Sequence, residues 1–90
     1  MEHMTTLHTA FGKVRTGSTR PFIAVIARPH QKTRVHARAE TRVALEKRLR
    51  REGFSVEHGT GLFVMHSRAT VEAGVLTPGA RLATIEIVEV

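Results

Sequence analysis

The most informative part of this sequence is the run PFIAVIA, which spans Pro21–Ala27. It is short, continuously apolar and partly β-branched, a pattern that favours a strand buried on both faces of a sheet. Pro21 stands at the first position, where the missing N–H of proline is tolerated. We therefore expect a central strand here.

The segment before this run predicts a partner strand. Leu7, Phe11 and Val14 stand among small polar residues in Thr5–Val14, which we interpret as one strand. Arg15–Arg20 contains Gly17 and Ser18 and is typical of a turn. The two strands are expected to pair as a hairpin.

The segment after the run predicts one long helix. Arg28–Lys32 reads as a loop, and Thr33 is a suitable N-cap for a helix over Arg34–Glu52. Gly53 and Phe54 match a Schellman ending, in which glycine takes a left-handed conformation and the next residue makes an apolar contact. At helical spacing, one side carries an apolar stripe formed by Val35, Ala39, Val43, Leu45 and Leu49.

The remaining sequence predicts a second hairpin, a short helix and a final strand. Phe54–His58 and Gly61–His66 alternate around Gly59-Thr60, a two-residue turn signal that places Val56 opposite Phe63 and Phe54 opposite Met65. The later elements are a short helix over Arg68–Ala73 with Ser67 as its cap and Gly74 at its end, a type II turn at Pro78-Gly79, and a strand over Arg81–Val90.

These elements define an α+β fold. Their order is β-β-α-β-β-(short α)-β, which predicts a mostly antiparallel sheet with one long helix packed on one face. Without the first strand the order is ferredoxin-like, β-α-β-β-α-β. A strongly bent sheet or partial barrel is the alternative.

Length and composition predict a single small domain. The chain has 90 residues. Met1–His3 resemble an expression scar, so we assign the domain to residues 4–90. The absence of cysteine excludes disulfides and thiolate chemistry. No apolar run reaches the ~20 residues of a membrane span. A cytoplasmic protein without membrane contact is expected.

Charge is distributed unevenly along the chain. Residues 1–53 carry twelve basic and four acidic side chains, a net charge of +8, whereas residues 54–90 carry two basic and four acidic side chains, a net charge of −2. A basic region attracts polyanions, so we predict a non-enzymatic module that contacts nucleic-acid phosphates through the helix and the loop before it. The residues predicted to make these contacts are Arg28, Lys32, Arg34, Lys47, Arg48 and Arg51.

Two other interpretations of the basic region stay open. Eleven of the fourteen basic residues are arginine, which is typical of a GC-rich bacterial or phage genome, so the region could be only a solvated helix face. Alternatively, the basic face docks on an acidic protein surface, as a phage or mobile-element inhibitor or adaptor would do.

No enzymatic, metal or cofactor chemistry is indicated. The histidines are scattered: the closest pair after His3 is His30 and His36, which lacks the spacing of a zinc site. The glycines form no phosphate-binding loop, and no serine lies in a nucleophile motif. We therefore expect no catalytic residue, no bound metal and no cofactor.

The final strand offers two alternatives for assembly. It has apolar residues on both faces, which suits a central strand and equally an edge strand covered by a partner or a second copy of the chain. The residues that would form such an interface are Ile85, Ile87, Val88 and Val90.

Overall fold

The computed structural model describes residues 4–17 and 20–90, and these residues form nine strands and one helix. The predicted scar at Met1–His3 and part of the predicted turn at Gly17-Ser18 lie outside this range. The elements are β1 (Thr5–Thr9), β2 (Gly12–Thr16), β3 (Phe22–Ala27), β4 (Arg34–Ala39), α1 (Arg42–Arg51), β5 (Ser55–Val56), β6 (Phe63–His66), β7 (Thr70–Glu72), β8 (Val75–Thr77) and β9 (Arg81–Glu89).

The largest sheet has five antiparallel strands in the order β4-β3-β9-β6-β5. β3 is paired on both sides, and all four residues of Ile23–Ile26 are buried. The prediction of a central strand buried on both faces is therefore confirmed. Alternation along the strand sends Ala24 and Ile26 to one face of the sheet and Ile23 and Val25 to the other.

Each face of this sheet is covered by a different element. On one face, Leu45 and Leu49 of α1 pack against Ile26 and its neighbours. On the other face, Leu7 and Val14 of the β1–β2 hairpin pack against Ile23 and Val25. The molecule has three layers, and the predicted α+β class with a mostly antiparallel sheet and one helix on one face is confirmed.

The N-terminal strand prediction is wrong in its length and its partner. Thr5–Val14 is not one strand, because the chain reverses at Ala10-Phe11 and β1 pairs with β2. Gly12 follows the turn with φ 113°, a conformation that favours glycine. The backbone N–H of Ala10 donates to Glu86 Oε2 of β9 at 2.7 Å, which fastens the turn to the sheet.

The predicted helix begins eight residues too early. Arg34–Ala39 is the edge strand β4, whose Val35 pairs with Val25 of β3 across a register shift. The helix begins at Arg42, with Thr41 in an extended conformation and its side-chain oxygen accepting from the Ala44 N–H at 3.1 Å. Val43, assigned to the apolar stripe, is exposed.

The predicted helix end is confirmed. Gly53 has φ 105°, its N–H donates to the Arg50 carbonyl at 3.1 Å, and the Phe54 N–H donates to the Leu49 carbonyl at 2.9 Å. These are the two hydrogen bonds of a Schellman motif. Phe54 is buried in the same cluster as Leu49, which supplies the apolar contact.

The second hairpin has the predicted register and a longer loop. Val56 pairs with Phe63, as expected. The Glu57 N–H donates to the Leu62 carbonyl at 2.7 Å and the Gly61 N–H to the Glu57 carbonyl at 3.1 Å, so the connection is longer than the predicted two-residue turn.

The predicted short helix over Arg68–Ala73 is instead part of a β hairpin, β7–β8, with Ala73 and Gly74 at positive φ in its turn. With one helix in the described residues, the ferredoxin-like order, which needs two, is not confirmed. The order of elements also differs from the predicted one.

We call residues 70–77 the arm, and all of them are exposed. The molecule measures 60 × 27 × 21 Å.

The base of the arm is closed by Ser67 and Ala80. The Ser67 N–H donates to the Ala80 carbonyl at 2.9 Å, and the Ala80 N–H donates to Ser67 Oγ at 2.9 Å. A Cβ on Gly79 would lie 1.7 Å from the Ser67 carbonyl oxygen, so only glycine allows this approach. The positive φ of a type II turn is not found at Gly79.

Candidate functional site

A cleft of about 440 Å³ lies between β2 of the N-terminal hairpin and the edge strand β4. Alternation along β2 buries Val14 and Thr16 and leaves Lys13 and Arg15 exposed. The residues that line the cleft are Met4, Lys13, Val14, Arg15, Thr16, Gly17, Thr33, Arg34, Val35 and Arg38.

The lining of this cleft is strongly cationic. It includes Lys13, Arg15, Arg34 and Arg38, and no carboxylate of the described residues belongs to it. Within residues 4–17 and 20–90, none of these four side chains forms an ion pair with Asp or Glu. We call these four residues the cleft cations. Their charge is uncompensated, so the cleft attracts anions.

One of the cleft cations lies close to a neighbouring strand. Arg38 of β4 donates from Nη2 to Thr16 Oγ1 of β2 at a long 3.5 Å. Thr16 is buried, so the guanidinium of Arg38 extends over the wall of the cleft on the β2 side. Arginine presents a planar fork of donors that matches the oxygens of a phosphate or carboxylate.

The cationic residues predicted from the sequence do not form one surface. Arg34 lines the cleft, and Lys32 is exposed in the loop before it. Arg28 lies in a separate pocket. Lys47, Arg48 and Arg51 are on α1, on the other side of the sheet. Arg48 is also compensated by Glu52, with its Nε 3.4 Å from Oε2.

Sequence reasoning missed three of the cleft cations, Lys13, Arg15 and Arg38. Lys13 and Arg15 alternate with Val14 and Thr16, which is the pattern of a strand with one polar face and was available in the sequence. The sequence pattern predicts a helix that includes Arg38, so it does not predict that Arg38 lies on a strand beside β2. The missing information was the position of β2 beside β4, which no local pattern encodes.

The final strand, β9, lies inside the five-stranded sheet. β9 lies between β3 and β6: its residues 84–89 pair with β3, and its residues 81–85 pair with β6. Ile85 is buried, and Ile87 and Val88 are half-buried against the two core clusters. Val90 is exposed, and its N–H donates to the Pro21 carbonyl at 2.7 Å. β9 is therefore a central strand where it pairs with β6, while residues 86–89 pair with β3 alone, and the interface predicted at Ile85, Ile87, Val88 and Val90 stays a prediction.

No phenylalanine among the described residues lines the cleft. Phe54 and Phe63 are buried, and Phe11 and Phe22 pack against the core clusters. Stacking platforms are the usual means of binding single strands through their bases. A nucleic acid in the cleft would therefore be held through its phosphates.

One histidine takes part in a polar cluster on the helix side. His36 Nε2 lies 2.7 Å from Glu52 Oε1, and its ring meets Phe54 edge-on. The hydrogen bond from His36, followed by the charges of His36 and Arg48, lowers the pKa of Glu52 despite an opposing effect of burial. In the described part of the chain, no three acidic or histidine side chains are grouped in a way that could hold a metal ion.

No family model, curated protein or solved structure matches this chain. The single helix in the described residues is too short to cross a membrane.

Proposed function

We propose that this protein binds the phosphodiester backbone of nucleic acid in the cleft between β2 and β4. The observation that carries the proposal is the lining itself: within residues 4–17 and 20–90, four cationic residues and no carboxylate surround a cleft of about 440 Å³. The proposed function is the one expected from the sequence, but the proposed binding site is the cleft and not the helix. Arg34 is the residue that belongs both to the predicted contact set and to the cleft.

The chemistry favours backbone contact over base readout. Guanidinium and ammonium groups bind phosphate oxygens in any sequence context. The chain has no asparagine and a single glutamine, Gln31, so the usual side chains for reading adenine are scarce. Binding with little sequence preference and strong salt dependence is expected.

The number of cleft cations sets the size of the salt effect. If each of the four neutralises one phosphate of a duplex, the slope of log K against log salt is about −3.6. A slope near zero would mean that the cleft takes no polyanion.

The experiment compares two double variants with the same loss of charge. Lys13→Gln/Arg15→Gln removes one lysine and one arginine from the cleft. Lys47→Gln/Arg51→Gln also removes one lysine and one arginine, but from the exposed face of α1. Binding of a fluorescent duplex, and of one of its strands alone, is measured by anisotropy over a salt series.

We expect the cleft variant to bind more weakly, and the slope of log K against log salt for the duplex to fall in magnitude by about 1.8. The helix variant should bind like the wild type. The opposite result would place the contact on the helix, as the sequence predicted. Absence of binding at low salt would reject nucleic acid and favour the second sequence-based interpretation, an acidic protein surface as the partner.

A further inference from the structure

A second pocket lies where the turn of the β1–β2 hairpin meets the end of β3 and the start of β9. It has a volume of about 280 Å³, and we call it the apolar pocket. Phe11, Ala27, Pro29 and Ala83 supply its apolar lining. It shares no lining residue with the cleft, so the two sites are distinct.

Small side chains on two paired strands leave this space open. Ala27 of β3 and Thr84 of β9 are cross-strand partners, and alternation places both on the face that the β1–β2 hairpin covers. Phe11, at the turn of that hairpin, packs against the same face and forms a wall of the pocket. The hydrogen bond from the Ala10 N–H to Glu86 connects this wall to β9.

The hydroxyl of Thr84 is a polar group without a partner at this pocket. Thr84 is only 7% exposed, and within residues 4–17 and 20–90 its side chain forms no hydrogen bond. None of the side-chain nitrogen or oxygen atoms in these ranges is both shielded from solvent and unpartnered, so the hydroxyl opens into the pocket that Thr84 lines. A ligand that supplies the missing hydrogen bond removes the cost of leaving this hydroxyl unpaired.

The pocket also carries one uncompensated positive charge. Arg28 is half-buried in the lining, and among the described residues it forms no ion pair with an acidic side chain. Arg81, the other basic residue of the lining, is paired with Glu57. The charge of Arg28 therefore favours a negatively charged ligand.

We propose that the apolar pocket binds a small organic carboxylate with an apolar body. The carboxylate lies between the Arg28 guanidinium and the Thr84 hydroxyl, which both donate hydrogen bonds to its oxygens. The apolar body contacts Phe11, Ala27 and Ala83, a lining that favours an organic acid over an inorganic anion.

The volume limits the size of the ligand. A pocket of about 280 Å³ is just below the range of roughly 300–1,000 Å³ that is typical of drug-sized ligands, so one ring or a short branched chain fits. Benzoate is therefore a suitable probe. Benzamide has nearly the same shape without the charge, and acetate has the charge with almost no apolar surface.

The test is a titration of isotope-labelled protein followed through its amide NMR signals. We expect benzoate to shift the signals of Ala27, Arg28 and Thr84 in a saturable way, with a Kd of about 1 mM or tighter. Benzamide should bind at least about fivefold more weakly because it cannot form an ion pair with Arg28. Acetate should not saturate the same signals.

Substitutions separate the two polar contacts. Thr84→Val keeps the branched shape and removes the hydroxyl, Arg28→Gln removes the charge, and each should weaken benzoate binding by about five- to tenfold. Thr84→Ser retains the hydroxyl and should bind benzoate nearly as the wild type does. Arg51→Gln, on α1, is the matched control for loss of charge and should leave the affinity unchanged. The amide spectrum of each variant shows whether it is folded.

Several results would overturn the proposal. They are the lack of a saturable shift of the pocket signals up to about 10 mM benzoate, equal affinity for benzamide, and shifts confined to the cleft cations. Unchanged benzoate affinity in Thr84→Val and Arg28→Gln would also overturn it. Nucleic-acid binding is measured at the cleft, so its failure and the failure of this proposal are distinguishable.

Discussion

The start of α1 at Arg42 can be tested through its N-cap, Thr41. The Thr41 hydroxyl oxygen accepts from the Ala44 N–H at 3.1 Å, and no acidic residue in the first turn can replace it. Replacing an N-cap threonine by alanine costs about 1 kcal/mol of unfolding free energy. For a domain of this size we expect Thr41→Ala to lower the melting temperature by about 4–8 °C.

The matched control is Thr33→Ala, because Thr33 is the N-cap that the sequence pattern predicts. In the structure it precedes the strand β4, and its removal should change the unfolding free energy by less than about 0.5 kcal/mol. Both variants, with Thr41→Ser as a conservative replacement, are compared by thermal and urea unfolding followed by circular dichroism. A larger loss at Thr33 than at Thr41 would refute the helix boundary described above.

Three further outcomes follow from the structure. The fold lowers the pKa of Glu52, so the stabilisation that its charged form provides is present above the ordinary carboxyl pKa and is lost as pH falls through the lowered pKa. We therefore expect the unfolding free energy of Glu52→Gln to fall less steeply in acid than that of the wild type. Leu49→Ala removes a fully buried helix side chain and should cost about 2–5 kcal/mol in urea unfolding, and a loss below 1 kcal/mol would contradict the packing of α1 on the sheet. Gly79→Ala would force the backbone at Ser67 to move, so amide exchange at Ser67 should accelerate while exchange in β3 stays slow.

Short-range signals in this sequence gave correct local predictions. The apolar run ending at Ala27 predicts β3, and Gly53 with Phe54 predicts the helix end, because each depends on residues close in sequence. The register that pairs Val56 with Phe63 also follows from alternation on the two sides of a turn. These features need no information about distant strands.

The helix start could not be predicted, because the apolar residues before it fit both the periodicity of a helix and that of a strand. Val35, Ala39 and Val43 match a helical spacing, and Val35, Ala37 and Ala39 match a strand. Pairing with β3 decides between them, and that pairing includes a register shift that local propensity does not contain. The cleft was missed for the same reason, since it exists only once β4 is a strand beside β2.

The arm escaped prediction because its turn is unusual. Ala73 adopts φ 52°, a left-handed conformation more typical of Gly or Asn, so the pair Ala73-Gly74 does not resemble a standard hairpin turn. The segment before it instead resembles the end of a short helix closed by glycine. Tight closure of the arm at Ser67 and Ala80 depends on residues too far apart to recognise in the sequence.

The placement of β9 affects how this chain can fold during synthesis. β9 follows all the other strands in sequence, yet it joins β3 on one side to β6 on the other. Until the ribosome has made residues 81–89, the edges of β3 and β6 that β9 will cover stay unpaired and exposed to aggregation. Folding of the central sheet is therefore expected to be delayed and governed by long-range pairing, so nascent chains that stall before Arg81 should depend on chaperones.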